Sequence, residues 1–149
     1  MEKIKVLFIC HGNICRSVMA EYMMKDLVAQ KGLAEKFYIE SAATSQEELG
    51  CDIYPPAKRK LDEKGITYGK HRARQVKKNE YDQWDLFIVM DERNKRNLIR
   101  IFGQDKDDKI QMMLDHKEVA DPWYTGNFEM TYQDLVQGCT NWLERFLHD

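Results

Sequence analysis

Residues Ile4 to Ile9 read Ile-Lys-Val-Leu-Phe-Ile, an almost unbroken apolar run. Such a run suits a strand covered on both faces, the situation of a parallel sheet flanked by helices. The chain that follows supplies those helices in alternation. After Ser17, apolar side chains at Met19, Tyr22, Met23 and Leu27 recur at helical spacing, and Gly32 stands where a helix-ending glycine belongs. A first helix is therefore expected to run to about Lys31.

Phe37 to Ala42 reads as a second strand. Pro55-Pro56, Ala57 to Lys64 and Gly65 read as a helix with proline at its start and glycine at its end. Asp85 to Met90 is a third strand, Glu92 to Phe102 a charged helix stopping before Gly103, Lys109 to Leu114 a fourth strand, and Phe128 to Leu147 a final helix. Gly69 to Asn79 is basic and aperiodic, a loop with room for a short helix. With 149 residues, 43% hydrophobic and 32% charged, one core suffices, and no repeat or linker divides the chain. The expected fold is a single α/β domain over residues 1–149, a three-layer α/β/α arrangement around a four-stranded parallel sheet.

In an open parallel sheet, ligands gather beyond the carboxyl ends of the strands. Cys10 follows the first strand, Ser41 ends the second, Asp91 follows the third, and Asp121 lies in the loop after the fourth. Four polar side chains are thus expected along one edge.

Between strand and helix the sequence is Cys10-His11-Gly12-Asn13-Ile14-Cys15-Arg16-Ser17. Backbone amides and a helix N-terminus at this place can form an anion nest. Gly12 and Asn13 tolerate positive φ, which lets the loop curl with successive amides pointing inward. Arg16 can fork two hydrogen bonds onto an oxyanion, and the same positive surroundings favour a thiolate at Cys10. Cys-x5-Arg suits phosphoryl transfer: amides and guanidinium hold three equatorial oxygens while the thiolate attacks in line with the leaving oxygen. A nucleotide-binding glycine-rich loop is excluded, because no Gly-Lys-Ser/Thr follows the strand.

The formal charge of −2 comes from 23 basic and 25 acidic residues that are well mixed, so nothing favours nucleic acid or a membrane surface. No stretch reaches the roughly 18 apolar residues of a membrane span, and no signal-peptide pattern opens the chain. A cytoplasmic monomer is expected. Cys10, Cys15, Cys51 and Cys139 are too few for a secreted disulfide framework, and the four histidines are scattered, so no metal and no cofactor are expected. Cys51 and Cys139 read as unreactive thiols, and Met19, Met23 and Met24 as core filling.

The loop CHGNICRS followed by Met19-Ala20-Glu21 resembles the signature of low-molecular-weight protein tyrosine phosphatases. Ser41-Ala42, His71-Arg72-Ala73-Arg74-Gln75, Met90-Asp91-Glu92-Arg93-Asn94 and Asp121-Pro122-Trp123-Tyr124 resemble that family's later blocks in the same order. The resemblance implies hydrolysis of protein phosphotyrosine through a phosphocysteine on Cys10, with Arg16 as phosphate clamp and Asp121 as general acid and base. It implies that His11, Gly12, Asn13, Ile14, Cys15 and Ser17 surround the phosphate, that Ser17 bonds the thiolate, and that Ser41 and His71 support Asn13. Trp123 and Tyr124 become candidate walls for an aryl ring. The sequence departs at Val18, where the family usually has proline, and at His11, where an apolar residue or threonine is commoner. The missing proline removes rigidity worth about 0.4 to 1 kcal/mol and no chemistry.

Asp91 reads equally as the N-cap of its helix and as a brace for the phosphate loop. The basic run Arg72, Arg74, Lys77 and Lys78 reads as a solvated face. Three other functions fit the residues less well. A thioredoxin-coupled arsenate reductase needs two further cysteines that residues 80–100 lack; a phosphoarginine phosphatase typically has threonine where Ile14 stands; a non-catalytic phosphate-binding module has no need of both Cys10 and Asp121. Cys10 and Cys15 are also candidates for a reversible redox bridge.

Overall fold

The computed structural model describes residues 2–148. Strand β1 (Ile4–Cys10) lies between β2 (Phe37–Ala43) and β3 (Leu86–Val89), with β4 (Ile110–Met112) outside β3, and every pairing is parallel. The helices are α1 (Arg16–Gln30), α2 (Pro55–Glu63), α3 (Glu92–Phe102), α4 (Pro122–Thr125) and α5 (Phe128–His148).

The unbroken apolar run of β1 follows from its central place. Val6, Phe8 and Cys10 pack with Met19 and Met23 of α1 and with Leu135 and Trp142 of α5. Leu7 and Ile9 face the other way, onto Leu98 and Phe102 of α3 and onto Tyr81 and Trp84. From Val6 to Cys10 neither face of β1 meets water, so a polar residue at any of these positions would forfeit about 1.5–3 kcal/mol of burial. The result is the expected α/β/α sandwich. α5 sits so close to the sheet that a Cβ at Gly138 would lie 2.7 Å from Met113, which only glycine avoids.

The chain passes from β1 through α1 to β2, then crosses back through α2 to β3 on the other side of β1. This reversal opens a crevice at the carboxyl ends of β1 and β3, the usual ligand position in such sheets.

The structure departs from expectation in four places. β4 is three residues long rather than six; at its start the Asp105 carboxylate accepts the amides of Lys109 at 2.8 Å and Ile110 at 3.1 Å, doing the work of a strand partner. Residues 69–77 hold no helix. They run extended behind the site, exchanging backbone bonds with Ala43, Gly50 and Cys51, and a 3-10 turn at Lys78–Gln83 follows. Nor is the basic run wholly a solvated face: Arg74 pairs with the buried Glu80 at 3.0 Å and with Glu40 at 3.4 Å. The short helix α4 was not legible in the sequence.

Candidate active site

The loop from Cys10 to Arg16 wraps one end of the crevice, and its shape is set at Asn13. This residue alone in the loop has positive φ, 60°. Gly12 does not; its lack of a side chain serves a close approach, since a Cβ there would stand 3.3 Å from Glu48 Cγ. Asn13 is fully buried, and five hydrogen bonds hold it. Its amide N–H points at Cys10 Sγ, 3.3 Å away, and its carbonyl accepts from His71 Nε2 at 2.6 Å. Its side chain donates to Ser17 Oγ and Ser41 Oγ, both at 2.9 Å, and accepts from the Arg74 amide at 3.3 Å. Ser17 Oγ, so held, lies 3.0 Å from Cys10 Sγ. Curling the amides toward an anion turns these side chains outward, so Asn13 and Ser17 sit behind the loop rather than in the cavity.

Helix α1 begins at Arg16 with no side chain capping it, leaving its first amides free at the loop. Arg16 is 3% exposed, and three oxygens hold its guanidinium: Asp91 Oδ2 at 2.9 Å, Val119 O at 3.3 Å and Asp121 Oδ2 at 3.2 Å. Burial alone would lower its pKa, yet Cys10, Asp121 and Asp91 outweigh burial and hold it above the ordinary arginine value. Asp91 Oδ1 caps α3 through the Asn94 amide at 2.7 Å, while its Oδ2 accepts from Arg16 at 2.9 Å.

Asp121 caps α4 through the Trp123 amide at 3.1 Å. Its loop is fastened to α5, where Asp134 accepts the Ala120 amide at 3.0 Å and Thr131 donates to the Ala120 carbonyl at 2.8 Å. A cavity of about 620 Å³ lies in front, lined by Cys10, His11, Gly12, Ile14, Cys15 and Arg16 below and by Asp91, Asp121, Trp123 and Tyr124 above. Trp123 is 56% exposed and Tyr124 78%. Opposite them stand Glu47 and Glu48; Glu47 bonds His11 Nε2 at 2.9 Å.

Of the residues picked from sequence, Cys10, Arg16, Asp91, Asp121, Trp123 and Tyr124 meet at this cavity. Ser41 and His71 stand behind the loop. Cys15 is buried beside Cys10, and burial, then the charges of Cys10 and Asp121, push its thiol well above the ordinary range. Cys139, wholly buried, is pushed to about 12, whereas Cys51 is exposed. Sequence reasoning missed Tyr54, whose ring meets Trp123 at 5.1 Å and Phe128 at 6.2 Å. It also missed Glu21, Thr131 and Asp134. Pro55-Pro56 marks a helix start just after Tyr54; for the others no local signal exists.

Residues 5–149 match the family model described as low molecular weight phosphotyrosine protein phosphatase. The chain belongs to this family. Similar members include the low molecular weight protein-tyrosine-phosphatase YfkJ of Bacillus subtilis, 39% identical over 91% of each chain, and the low molecular weight phosphotyrosine protein phosphatase of Gallus gallus, 40% identical over 94% of each. The crystal structure of YfkJ superposes with a TM-score of 0.94, covering 99% of this chain and 97% of that one. SP-PTP from Streptococcus pyogenes, 38% identical, gives 0.89 over 95% and 92%. As a low molecular weight phosphotyrosine protein phosphatase the chain is a metal-independent hydrolase, and phosphoproteins are its substrates. Among the described residues no helix is long and apolar enough to cross a membrane.

Proposed function

We propose that this phosphatase hydrolyses protein phosphotyrosine through a phosphocysteine on Cys10. The observation that carries the reading is that Asp121, 105 residues beyond Arg16 in sequence, lines one cavity with Cys10 and Arg16, its carboxylate resting 3.2 Å from the Arg16 guanidinium.

The phosphate dianion enters the loop, where the amides of residues 11–16 and Arg16 take its equatorial oxygens. Arg16 exchanges Asp121 for phosphate, and Asp121, no longer paired with the guanidinium, takes up a proton from solvent and faces the ester oxygen as the acid. Cys10 Sγ attacks phosphorus, the bond from phosphorus to the phenolic oxygen breaks, and Asp121 gives that oxygen its proton. A water molecule then attacks the phosphocysteine, passes a proton to the Asp121 carboxylate, and the sulfur–phosphorus bond breaks to restore the thiolate and release inorganic phosphate. Asp91 keeps Arg16 planar to the phosphate throughout. No step needs a metal or a cofactor.

Trp123 and Tyr124 flank the aryl ring, and Ile14 presents an apolar floor. Such a slot suits phosphotyrosine better than phosphoarginine, whose guanidinium needs polar partners, or phosphoserine, whose stem is too short to reach Cys10. The test is a set of matched peptides carrying each phosphoresidue. Fastest release from phosphotyrosine is expected, and faster release from phosphoarginine would overturn the specificity. The covalent step is tested by quenching turnover and mapping phosphate to the Cys10 peptide; its absence at saturating substrate would refute the intermediate.

A further inference from the structure

Behind Cys10 a single file of hydrogen bonds leads to a buried carboxylate that has no place in the mechanism above. Glu21, on α1, is 7% exposed. Its Oε1 accepts from Ser41 Oγ at 2.6 Å, and its Oε2 accepts from Lys25 Nζ at 2.6 Å, so the buried charge is paired. The direction of every bond in the file then follows from counting protons. An ionised carboxylate only accepts, so the one hydroxyl hydrogen of Ser41 is committed to Glu21. Ser41 can therefore meet Asn13 only as an acceptor, which fits Asn13 Nδ2 at 2.9 Å. The second Nδ2 hydrogen goes to Ser17 Oγ at 2.9 Å, and the Arg74 amide on Asn13 Oδ1 fixes which end of the carboxamide faces the serines.

Ser17 now has one hydrogen left and one neighbour left, Cys10 Sγ at 3.0 Å. If Cys10 kept its proton and donated it to Ser17, the Ser17 hydrogen would find no acceptor among the described residues. With the sulfur as thiolate, Ser17 and the Asn13 amide both donate to it and every group in the file is satisfied.

We propose that Glu21 is a positioning residue for the nucleophile: by accepting from Ser41 it orients the Ser41–Asn13–Ser17 file so that Ser17 must donate to Cys10. The inference rests on the reading of Cys10 as nucleophile. A glutamine at position 21 keeps the shape but can offer its NH₂ to Ser41, whose hydrogen is then free to turn toward Asn13 and break the file. Lys25 faces Glu21 from the same helix, His71 bonds the Asn13 carbonyl at 2.6 Å from the 69–77 segment, and Arg16, Asp121 and Cys15 lie around Cys10.

The test follows alkylation of Cys10 by iodoacetamide as a function of pH, with the Cys10 peptide read by mass spectrometry, alongside the pH profile of kcat/KM for p-nitrophenyl phosphate. Glu21→Gln is expected to slow alkylation about tenfold below neutrality and little at high pH, the worth of one hydrogen bond to a charged group. The acid limb of kcat/KM moves the same way. Ser17→Ala gives the same displacement, and adding Glu21→Gln to it adds nothing, because the file has already lost its last member. Ser41→Ala, which leaves Glu21 and Lys25 in place, gives the result independently if Glu21→Gln fails to fold. A lowered Tm with an unmoved alkylation profile in both Glu21→Gln and Ser41→Ala, or additive effects with Ser17→Ala, would overturn the proposal. If instead Cys10→Ser retained turnover, the nucleophile reading itself would fail, an outcome distinct from an active Cys10 that ignores Glu21.

Discussion

The floor of the cavity and its rim are built on opposite principles. In the floor, Asn13, Arg16 and Ser17 are buried and held by side chains and backbone from several places in the chain, among them Ser41 of β2, Asp91, Asp121 and the Arg74 amide. On the rim, Trp123 and Tyr124 stand mostly in water, and so does Glu47, while Glu48 is half-buried. A floor fixed by buried hydrogen bonds cannot adapt, since each broken bond strands a desolvated group at a cost of about 1–3 kcal/mol. A rim of exposed side chains can be altered freely. Chemistry should therefore be confined to the floor and selectivity to the rim, and substitutions in the two regions should fail in different ways.

The largest effects belong to the floor. Cys10→Ser should abolish turnover of p-nitrophenyl phosphate while orthovanadate still binds and Tm changes little, because a hydroxyl fits the space yet is too weak a nucleophile. Arg16→Lys should lower kcat/KM for every ester by the same factor, since the two-pronged grip is lost whatever group leaves. An effect of Arg16→Lys that scaled with the leaving group would break the division of roles.

Asp121 joins floor to rim, and its replacement should show both characters. Asp121→Asn should slow esters of poor leaving groups by about 10²–10⁴ and good ones far less. It should also tighten inhibition by inorganic phosphate, because a negative charge 3.2 Å from Arg16 no longer competes for the guanidinium. Equal slowing across a leaving-group series, with weaker phosphate binding, would make Asp121 a structural cap for α4.

The floor carries its own weak point in Cys15. Peroxide acting on a Cys10 thiolate would give a sulfenic acid, and attack by the Cys15 sulfur would then form the disulfide and expel water. Burial and the neighbouring charge of Cys10 hold Cys15 protonated in the resting enzyme, and conversion of Cys10 to the neutral sulfenic acid removes that second influence. After a peroxide pulse, dithiothreitol should restore the wild type and restore Cys15→Ser much less. Equal recovery, with no peptide joining the two cysteines, would leave Cys15 a packing residue.

The contrast also explains what could be read from the sequence. β1, its loop and α1 were legible because hydrophobic pattern, turn residues and spacing all act within a few positions. Asp91 was legible as a cap for the same reason. Glu21, Asp134 and Thr131 were not, since each acts through partners set by the fold: Glu21 reaches across to β2, and Thr131 holds a carbonyl 11 residues back on another element. Asn13 and Ser17 were expected around the phosphate, with Ser17 bonding the thiolate and Asn13 held by Ser41 and His71, and those side-chain bonds are the ones the structure holds behind the loop. Tyr54 became a rim residue only when α5 brought Phe128 beneath it.

On the rim the expected changes are smaller. Trp123→Ala should raise KM for phosphotyrosyl peptides up to about tenfold, the worth of an aromatic pair, with a much smaller change in kcat. A loss confined to kcat would mean that Trp123 holds Asp121 through α4 rather than the substrate ring.

The smallest effect tests how the rim is anchored. Tyr54 sits at the start of α2, and α2 is tied to α5 by Lys60 and Lys64 on Glu129, at 3.0 and 3.1 Å, on the protein surface. Hydrogen bonds from Gln133, then from Lys60 and Lys64, hold the Glu129 carboxyl at about 2, below its ordinary 4.5. A carboxyl depressed on folding stabilises the protein fully above its unfolded value and loses that contribution as pH falls through the folded one. The tie should thus be complete above about pH 5 and gone near pH 2, and because it is exposed, salt should weaken it as well. Thermal unfolding of the wild type and Glu129→Gln across this range should show a small difference in Tm that closes as pH falls and as salt rises. The buried pair of Arg16 with Asp91 should feel salt far less, so Asp91→Asn should keep its deficit in Tm at high salt. If salt erased both differences alike, the floor would be no better shielded than the rim, and the contrast between them would not hold.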